Sequence, residues 1–412
     1  MAKKEKVKKH AGKKILRVLV IILLVISILT ASATIVNIVL ERSHEEFIGN
    51  VPPVEYEEQL VPVIDDDGYY TFTTDREFKI VNITDVHIGA GFLSPKKDNM
   101  AMNAVIAMIR EEKPDLVTVT GDIAYPIPFQ SGSMNNKIPA VLFADLMEEL
   151  GVYWAPVFGN HDTEAFAYYS REQIGEIYES DAYPHCLFQA GPEDINGVGN
   201  YVINVKNTLG QITQSLFMID SNDYTSKSLI STITWDYDCI HTDQVEWYKN
   251  TIDELTKENA GITPYSLAYF HIPLYEMREA WYSYRDNGYQ DTDDVQYIYG
   301  KAGEKDGVVL CSEYNNGFFD AVLEKGSTKG IFVGHDHLNT FSIVYKGIRM
   351  TYSNSIDYLA YFGISKIGSQ RGCTVVTVNP DGTFEYTPEN YYQEKYQSLE
   401  PKEEVTMQEY EH

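Results

Sequence analysis

The chain has 412 residues, 44% of them hydrophobic, and a formal net charge of −27, room for a membrane segment plus one large domain or two small ones. So acidic a surface repels nucleic-acid backbones at long range, which argues against a nucleic-acid partner while leaving a small phosphate ester bound through cations open. Cys186, Cys239, Cys311 and Cys373 include no CxxC pair, so zinc-finger and thioredoxin-like readings have no support; they read as one or two disulfides or as separate buried thiols.

Residues 1–17 form a basic arm with eight Lys/Arg and one acidic residue, followed by 23 residues, 18–40, without a formal charge. As a helix that stretch is about 35 Å long at ~1.5 Å per residue, enough to cross a hydrocarbon core. The basic flank predicts a cytoplasmic N-terminus and everything after Leu40 outside the cell membrane. A cleaved signal peptide ending near Ala33 is the alternative, giving a secreted protein. The apolar pattern resumes at Ile35–Leu40, which favours an uncleaved single-pass anchor. Residues 41–76, acidic and broken by Pro52, Pro53 and Pro62, read as an extracytoplasmic linker with a strand near Tyr69–Phe72.

The main domain is expected over residues 77–390. Asn99–Glu112 has a helical apolar face (Met102, Val105, Ile106, Ile109) and is ended by Pro114; Ile138–Leu150 is a second helix stopped at Gly151. Alternating with the strands Phe78–Thr84, Leu116–Thr120 and Val152–Phe158, these predict an α/β fold. Further on, Asn200–Val205 and Ser215–Asp220 read as paired strands. Thr242–Glu258 reads as a helix capped by Thr242. Tyr275–Gly307 has little periodicity and reads as a packed, tyrosine-rich loop. Residues 391–412 read as a mobile acidic tail.

Five of the strands end in polar groups. Asp85-Val86-His87, Gly121-Asp122, Gly159-Asn160-His161-Asp162, His271 and Gly334-His335-Asp336-His337 each follow a short apolar, β-rich run. Buried Asp, Asn and His are costly unless paired, and ligands in α/β sheets gather outside the carboxyl ends of strands. Together the five ends point to one metal cage. Two divalent cations about 3.5–4 Å apart need several oxygen and nitrogen donors and one bridge, and four histidines among the donors suit Mn, Fe or Zn. The glycines beside these groups are expected to let each strand end turn sharply. His185 and His241 match no motif and read as ordinary loop residues.

This ordered set, D-x-H, G-D, G-N-H-D, a lone His and G-H-x-H, resembles the calcineurin-like metallophosphoesterase superfamily. Gly121-Asp122-Ile123-Ala124-Tyr125, Gly334–Asn339 and Gly197–Tyr201 resemble its purple acid phosphatase branch. The resemblance implies two mixed β-sheets packed face to face and flanked by helices, a four-layer sandwich preceded here by one transmembrane helix. It implies that Asp85, His87 and His337 hold one metal, that Asn160, His271 and His335 hold the other, and that Asp122 bridges both. His161 would act beside the phosphate, with Asp162 behind it as the other member of the catalytic pair. The implied reaction is hydrolysis of phosphate monoesters by a metal-bridged hydroxide attacking in line. A phosphodiesterase or nucleotidase on the same centre, or an inactive surface binding module, are the alternatives.

One position departs from the branch. Purple acid phosphatases have Gly where this chain has His87, and use the tyrosine of G-D-x-x-Y as a ligand. With Asp85, Asp122 and a hydroxide, a divalent pair keeps a net charge of about +1, which suits a phosphate dianion. Because His87 can fill the vacant place, Tyr125 is expected unligated, as a packed or substrate-facing ring. Tyr275 and Arg278, which follow the His271 strand, are expected to contact substrate as part of a lid.

Overall fold

A computed structural model describes residues 2–226 and 228–407. Five strands form the smaller sheet, in the order Phe384–Asn390, Gly372–Val378, Phe78–Ile83, Leu116–Thr120, Trp154–Val157. The last three run parallel in register, Ile80 opposite Leu116 and Val117 opposite Trp154. The larger sheet has nine strands, with Tyr201–Lys206, Ile212–Met218, Tyr265–Tyr269, Thr328–Val333 and Ile348–Tyr352 at its centre. Both sheets mix parallel and antiparallel pairs.

Period-2 burial makes the layers. Leu216, Met218, Leu267, Tyr269 and Phe332 point from the larger sheet into a core shared with Ile80, Leu116 and Val376 of the smaller one. The alternate residues Phe217, Ile219, Ala268, Phe270, Ile331 and Val333 point the other way, as the pleat requires. There they pack against the helices Thr242–Glu258, Tyr275–Asp286 and Phe318–Lys325. Helices Pro95–Glu112 and Lys137–Leu150 cover the smaller sheet with Met102, Val105, Ile106 and Phe143. The expected α/β fold of two face-to-face mixed sheets with helices outside is the observed one.

Several local expectations differ. The N-terminal helix runs Ala2–Ile48, eight residues past Leu40, because Glu41–Phe47 contains no helix breaker and His44 and Ile48 are buried against the domain. The following segment lies along the surface rather than free, with Val54 N–H donating to Leu150 O and Tyr56 Oη to Pro114 O. Helix Thr242–Glu258 is capped by His241, one residue before the expected Thr242. Tyr275–Asp286 is a helix and Val295–Tyr299 a strand, where a loop was expected. All four cysteines are free thiols, Cys186, Cys311 and Cys373 buried.

The tail expected to be mobile is tied to the domain as far as Thr406, whose N–H donates to Lys366 O at 2.7 Å. Tyr396 is buried and donates to Glu112 Oε1 at 2.7 Å. Leu399 and Glu400 N–H both donate to Asn103 Oδ1 at 3.0 Å. Residues 408–412 of that tail lie outside the described residues.

Candidate metal centre

The adjacent ends of strands Phe78–Ile83, Leu116–Thr120 and Trp154–Val157 meet the ends of Tyr265–Tyr269 and Thr328–Val333 between the sheets. There the chain turns sharply. Asp85, His87, Asp122 and His335 themselves take left-handed backbone conformations, with φ of +51°, +54°, +56° and +79°. Asp and His are among the non-glycine residues that tolerate this region, at a cost of about 1–3 kcal/mol each. Of the glycines expected to supply the turns, Gly121 does so (φ +85°). Gly159 serves by its lack of bulk, since a Cβ there would lie 2.1 Å from Asp122 Oδ1. Gly334, like Gly159, is not left-handed.

All seven predicted donors converge. Asp122 Oδ2 lies 3.4 Å from His87 Nε2 and 3.1 Å from His271 Nε2, between two groups. On one side, Asp85 Oδ1 is 3.5 Å from His337 Nε2 and 4.0 Å from His87 Nε2. On the other, Asn160 Oδ1 is 3.2 Å from His271 Nε2 and 2.9 Å from His335 Nδ1. Every one of these residues is buried. Such crowding of carboxylates and imidazoles needs positive charge between them.

The donor atoms are aimed by the groups behind them. His271 Nδ1 lies 2.8 Å from Thr120 O, so Nδ1 donates there and Nε2 is turned toward the cluster. Asn160 Nδ2 donates to Tyr224 Oη at 3.1 Å, which turns Oδ1 inward. Asp357 Oδ1 is 2.9 Å from His87 Nδ1, and its Oδ2 is 3.4 Å from His337 Nδ1. Asp85 Oδ1 is buried and has no hydrogen-bond partner. The residues therefore fit a divalent pair: an orphaned carboxylate oxygen, His87, His271 and His337 turned with Nε2 inward, and one carboxylate oxygen shared by both groups.

Burial would raise Asp122, but the charges of His271 and His161 and hydrogen bonds from His271 and His87 hold it well below the usual carboxylate range. Burial pushes His335 well down and His337 down to about 3, leaving both as neutral imidazoles. Burial would lower His87 and His271 too, yet the adjoining carboxylates raise them to about 10 and about 9.

His161 stands at the open side, its side chain 20% exposed, with Nδ1 2.7 Å from Glu164 Oε1. Burial opposes its charge, but Asp122 and Glu164 raise it above the ordinary histidine value. Asp162 does not face the opening. Its Oδ2 accepts the Asp122 and Gly159 N–H groups at 2.9 and 2.7 Å, and Oδ1 accepts Ala124 N–H at 2.8 Å. It is a positioning residue that clamps the two loops together. Tyr125 packs between His87 and His161, ring centroids 4.5 and 4.8 Å away. Burial raises its phenol further above the ordinary value.

Tyr275 and Arg278 are not drawn into this cluster. Arg278 donates to Glu313 at 2.6 Å and lies over the Tyr275 ring, and Tyr275 lines a narrow cleft with Ser312 and Asn316. Asp357, Glu164, Tyr224 and Arg171 were missed from the sequence. Arg171 is buried, pairs with Asp220 and donates to Gly159 O at 3.0 Å. Asp357 also follows a strand, Ile348–Tyr352, but five residues past its end, where the other groups begin two or three past theirs.

The family model described as calcineurin-like phosphoesterase matches residues 78–339. "Probable inactive purple acid phosphatase 29" of Arabidopsis thaliana is 30% identical over 335 residues, covering 75% of this chain and 78% of that protein. "Probable inactive purple acid phosphatase 14" of the same plant is 29% identical, with 76% and 78% covered. "Phosphatase DCR2" of Saccharomyces cerevisiae is 29% identical over 287 residues, 66% of this chain and 46% of that protein. Among solved structures, a dimetal phosphatase from Danio rerio aligns with a TM-score of 0.44 at 13% identity, over 74% of this chain and 94% of that one.

Proposed function

The chain belongs to the calcineurin-like phosphoesterase family, and on that premise we propose that it is a membrane-anchored, extracytoplasmic, metal-dependent hydrolase of phosphate monoesters. The observation that carries the reading is Asp122 Oδ2 set between two donor groups, beside an unpartnered buried Asp85 Oδ1. Asp85, His87 and His337 would hold one divalent Mn, Fe or Zn ion, Asn160, His271 and His335 the other, and Asp122 both. When bound, such a pair supplies a nucleophile from water at neutral pH and neutralises charge on the ester.

The chain's own residues do the rest. Glu164 keeps a proton on His161, and His161, at the open side, delivers it to the leaving oxygen. Asp162 and Arg171 hold the Gly159–His161 turn against the Gly121–Ala124 turn. Tyr125 stays a neutral phenol beside the opening. For the anchor, the support is the helix segment Lys13–Ile48, apolar enough to cross a membrane and unburied over its most apolar window, behind a basic arm.

The second reading, a surface binding module without turnover, draws on the names of the plant relatives, which call those proteins probably inactive. Assay of p-nitrophenyl phosphate and bis(p-nitrophenyl) phosphate, with Mn, Zn or Fe added, separates the readings. Monoester turnover that is lost in Asn160→Ala supports the proposal. Faster diester turnover makes the chain a phosphodiesterase, and no turnover with any metal makes it a binding module.

A further inference from the structure

The outer end of the apolar helix does not stand clear of the domain. Ala33, Asn37, Leu40, Glu41, His44 and Ile48 recur at helical spacing on its less exposed face. Asn37 Nδ2 donates to Gly132 O at 3.4 Å. Thr30, Ala33, Thr34 and Asn37 form one wall of a cleft of about 600 Å³; Phe92, Pro128, Met134 and Tyr168 line the other. On the helix's far face Ile35, Val36 and Val39 are exposed. If residues 18–40 span a bilayer, those side chains lie in hydrocarbon, and the domain surface opposite them lies at the same depth. From Leu40 back to Ala33 that depth is about 10 Å at ~1.5 Å per residue, the burial typical of interfacial segments.

The domain surface at that level exposes large aromatic and aliphatic side chains. Phe129 is 91% exposed, Tyr168 60%, Leu93 50% and Phe92 43%. Large apolar side chains clustered on an otherwise acidic surface mark an interaction site. They are also joined to one another: Leu93 N–H donates to Ser131 O at 3.0 Å and Tyr168 N–H to Met134 O at 3.2 Å, while the Phe92 ring lies so close over Gly132 that a Cβ there would meet it at 2.8 Å. Gly132 is the residue whose carbonyl holds Asn37.

These loops are continuations of the metal-centre strands. Phe92 and Leu93 follow His87, Phe129 follows Asp122 and Tyr125, and Tyr168 follows His161. Three loops thus carry metal-centre groups at one end and the membrane-level patch, an apolar rim, at the other. We infer that this rim sits in the outer half of the bilayer and that the site takes phosphate monoesters of amphiphiles held in the same bilayer. The inference rests on the anchored-phosphoesterase reading above. The net charge of −27 gives no attraction to anionic lipid, so the apolar rim, not charge, makes the contact. In the reaction water forms the new P–O bond, the P–O bond to the alkyl oxygen breaks, and the proton released from water ends on the alcohol, which stays in the membrane while phosphate leaves.

The test uses the full chain in phosphatidylcholine vesicles with Mn. Phe129→Cys, in a Cys239→Ser background, carries an environment-sensitive fluorophore; Val25→Cys carries the same label in the anchor. The expected result is a blue-shifted label at 129, quenched by lipid-borne nitroxide and not by aqueous iodide. Hydrolysis of hexadecyl phosphate in the vesicles is expected to fall about tenfold or more in Phe92→Ser/Phe129→Ser, with p-nitrophenyl phosphate turnover unchanged, since remote binding energy is lost only for the amphiphile. A label at 129 quenched by iodide, or equal loss on both esters, overturns the inference. A water-exposed label at residue 25 overturns the anchor and this inference with it. Absence of turnover on either ester overturns the phosphoesterase reading and the substrate assignment, while the label at 129 still decides the rim.

Discussion

His87 Nδ1 lies 2.9 Å from Oδ1 of Asp357, and both side chains are buried. The other Asp357 oxygen lies 3.4 Å from His337 Nδ1, so one carboxylate stands behind two imidazoles and turns both Nε2 atoms toward Asp85. Burial would raise the Asp357 carboxyl, yet His87 and His337 hold it far below the usual carboxylate range. Carboxylates behind metal-binding histidines fix ring orientation and raise donor strength. Asp357→Asn is therefore expected to weaken metal binding about 10–100-fold, read by calorimetric titration of the metal-free protein. Turnover should return largely at saturating metal. Unchanged affinity would leave Asp357 a packing residue only.

His161 is expected to act on the leaving group. His161→Gln should lower kcat about 10²–10⁴-fold while bound metal stays the same. Because p-nitrophenolate leaves without a proton far more readily than an alkoxide, the loss should be larger for an alkyl phosphate than for p-nitrophenyl phosphate. Equal loss on the two esters would assign His161 to binding the phosphate rather than to proton delivery.

The packed C-terminal segment adds stability through Glu112. Burial alone would raise the Glu112 carboxyl, but hydrogen bonds from Lys395 and Tyr396 and the charges of Lys79 and Lys395 hold it below its ordinary 4.5. A carboxylate depressed in the folded state adds stability that is present above the unfolded pKa and is lost as pH falls through the lower folded value. Glu112→Gln should thus cost about 1–3 kcal/mol at pH 7, read from urea midpoints of the detergent-solubilised chain. The gap between wild type and variant should close as the pH drops below 4.5. A gap that persists at acid pH would mean that the loss is one of packing, not charge.

The parts of this molecule that were legible in the sequence are those where local pattern and chemistry coincide. Strand ends bearing Asp, Asn or His stand out in the sequence because buried polar groups are expensive, and the structure brings those seven residues together. Asp357 escaped because it stands alone, five residues beyond Tyr352 and without a flanking glycine. The Arg171–Asp220 pair joins residues 49 apart in sequence, and no local period reports such a contact. Helix Tyr275–Asp286 did carry an apolar stripe, Met277, Ala280, Trp281 and Tyr284, at i, i+3, i+4 and i+7; the many tyrosines around it hid the period. The C-terminal segment is held by polar contacts to Asn103 and Glu112, which hydrophobic patterning cannot register.

Two cations would sit among these donors with Asp122 between them, and metal stoichiometry decides whether they do. Protein stripped with chelator and re-equilibrated with Mn or Zn is expected to retain two metal ions per chain by elemental analysis, and Asp122→Asn to retain one or none, with phosphomonoester turnover tracking the count. Wild-type protein that retains no metal, or turnover that survives chelation unchanged, would contradict that arrangement.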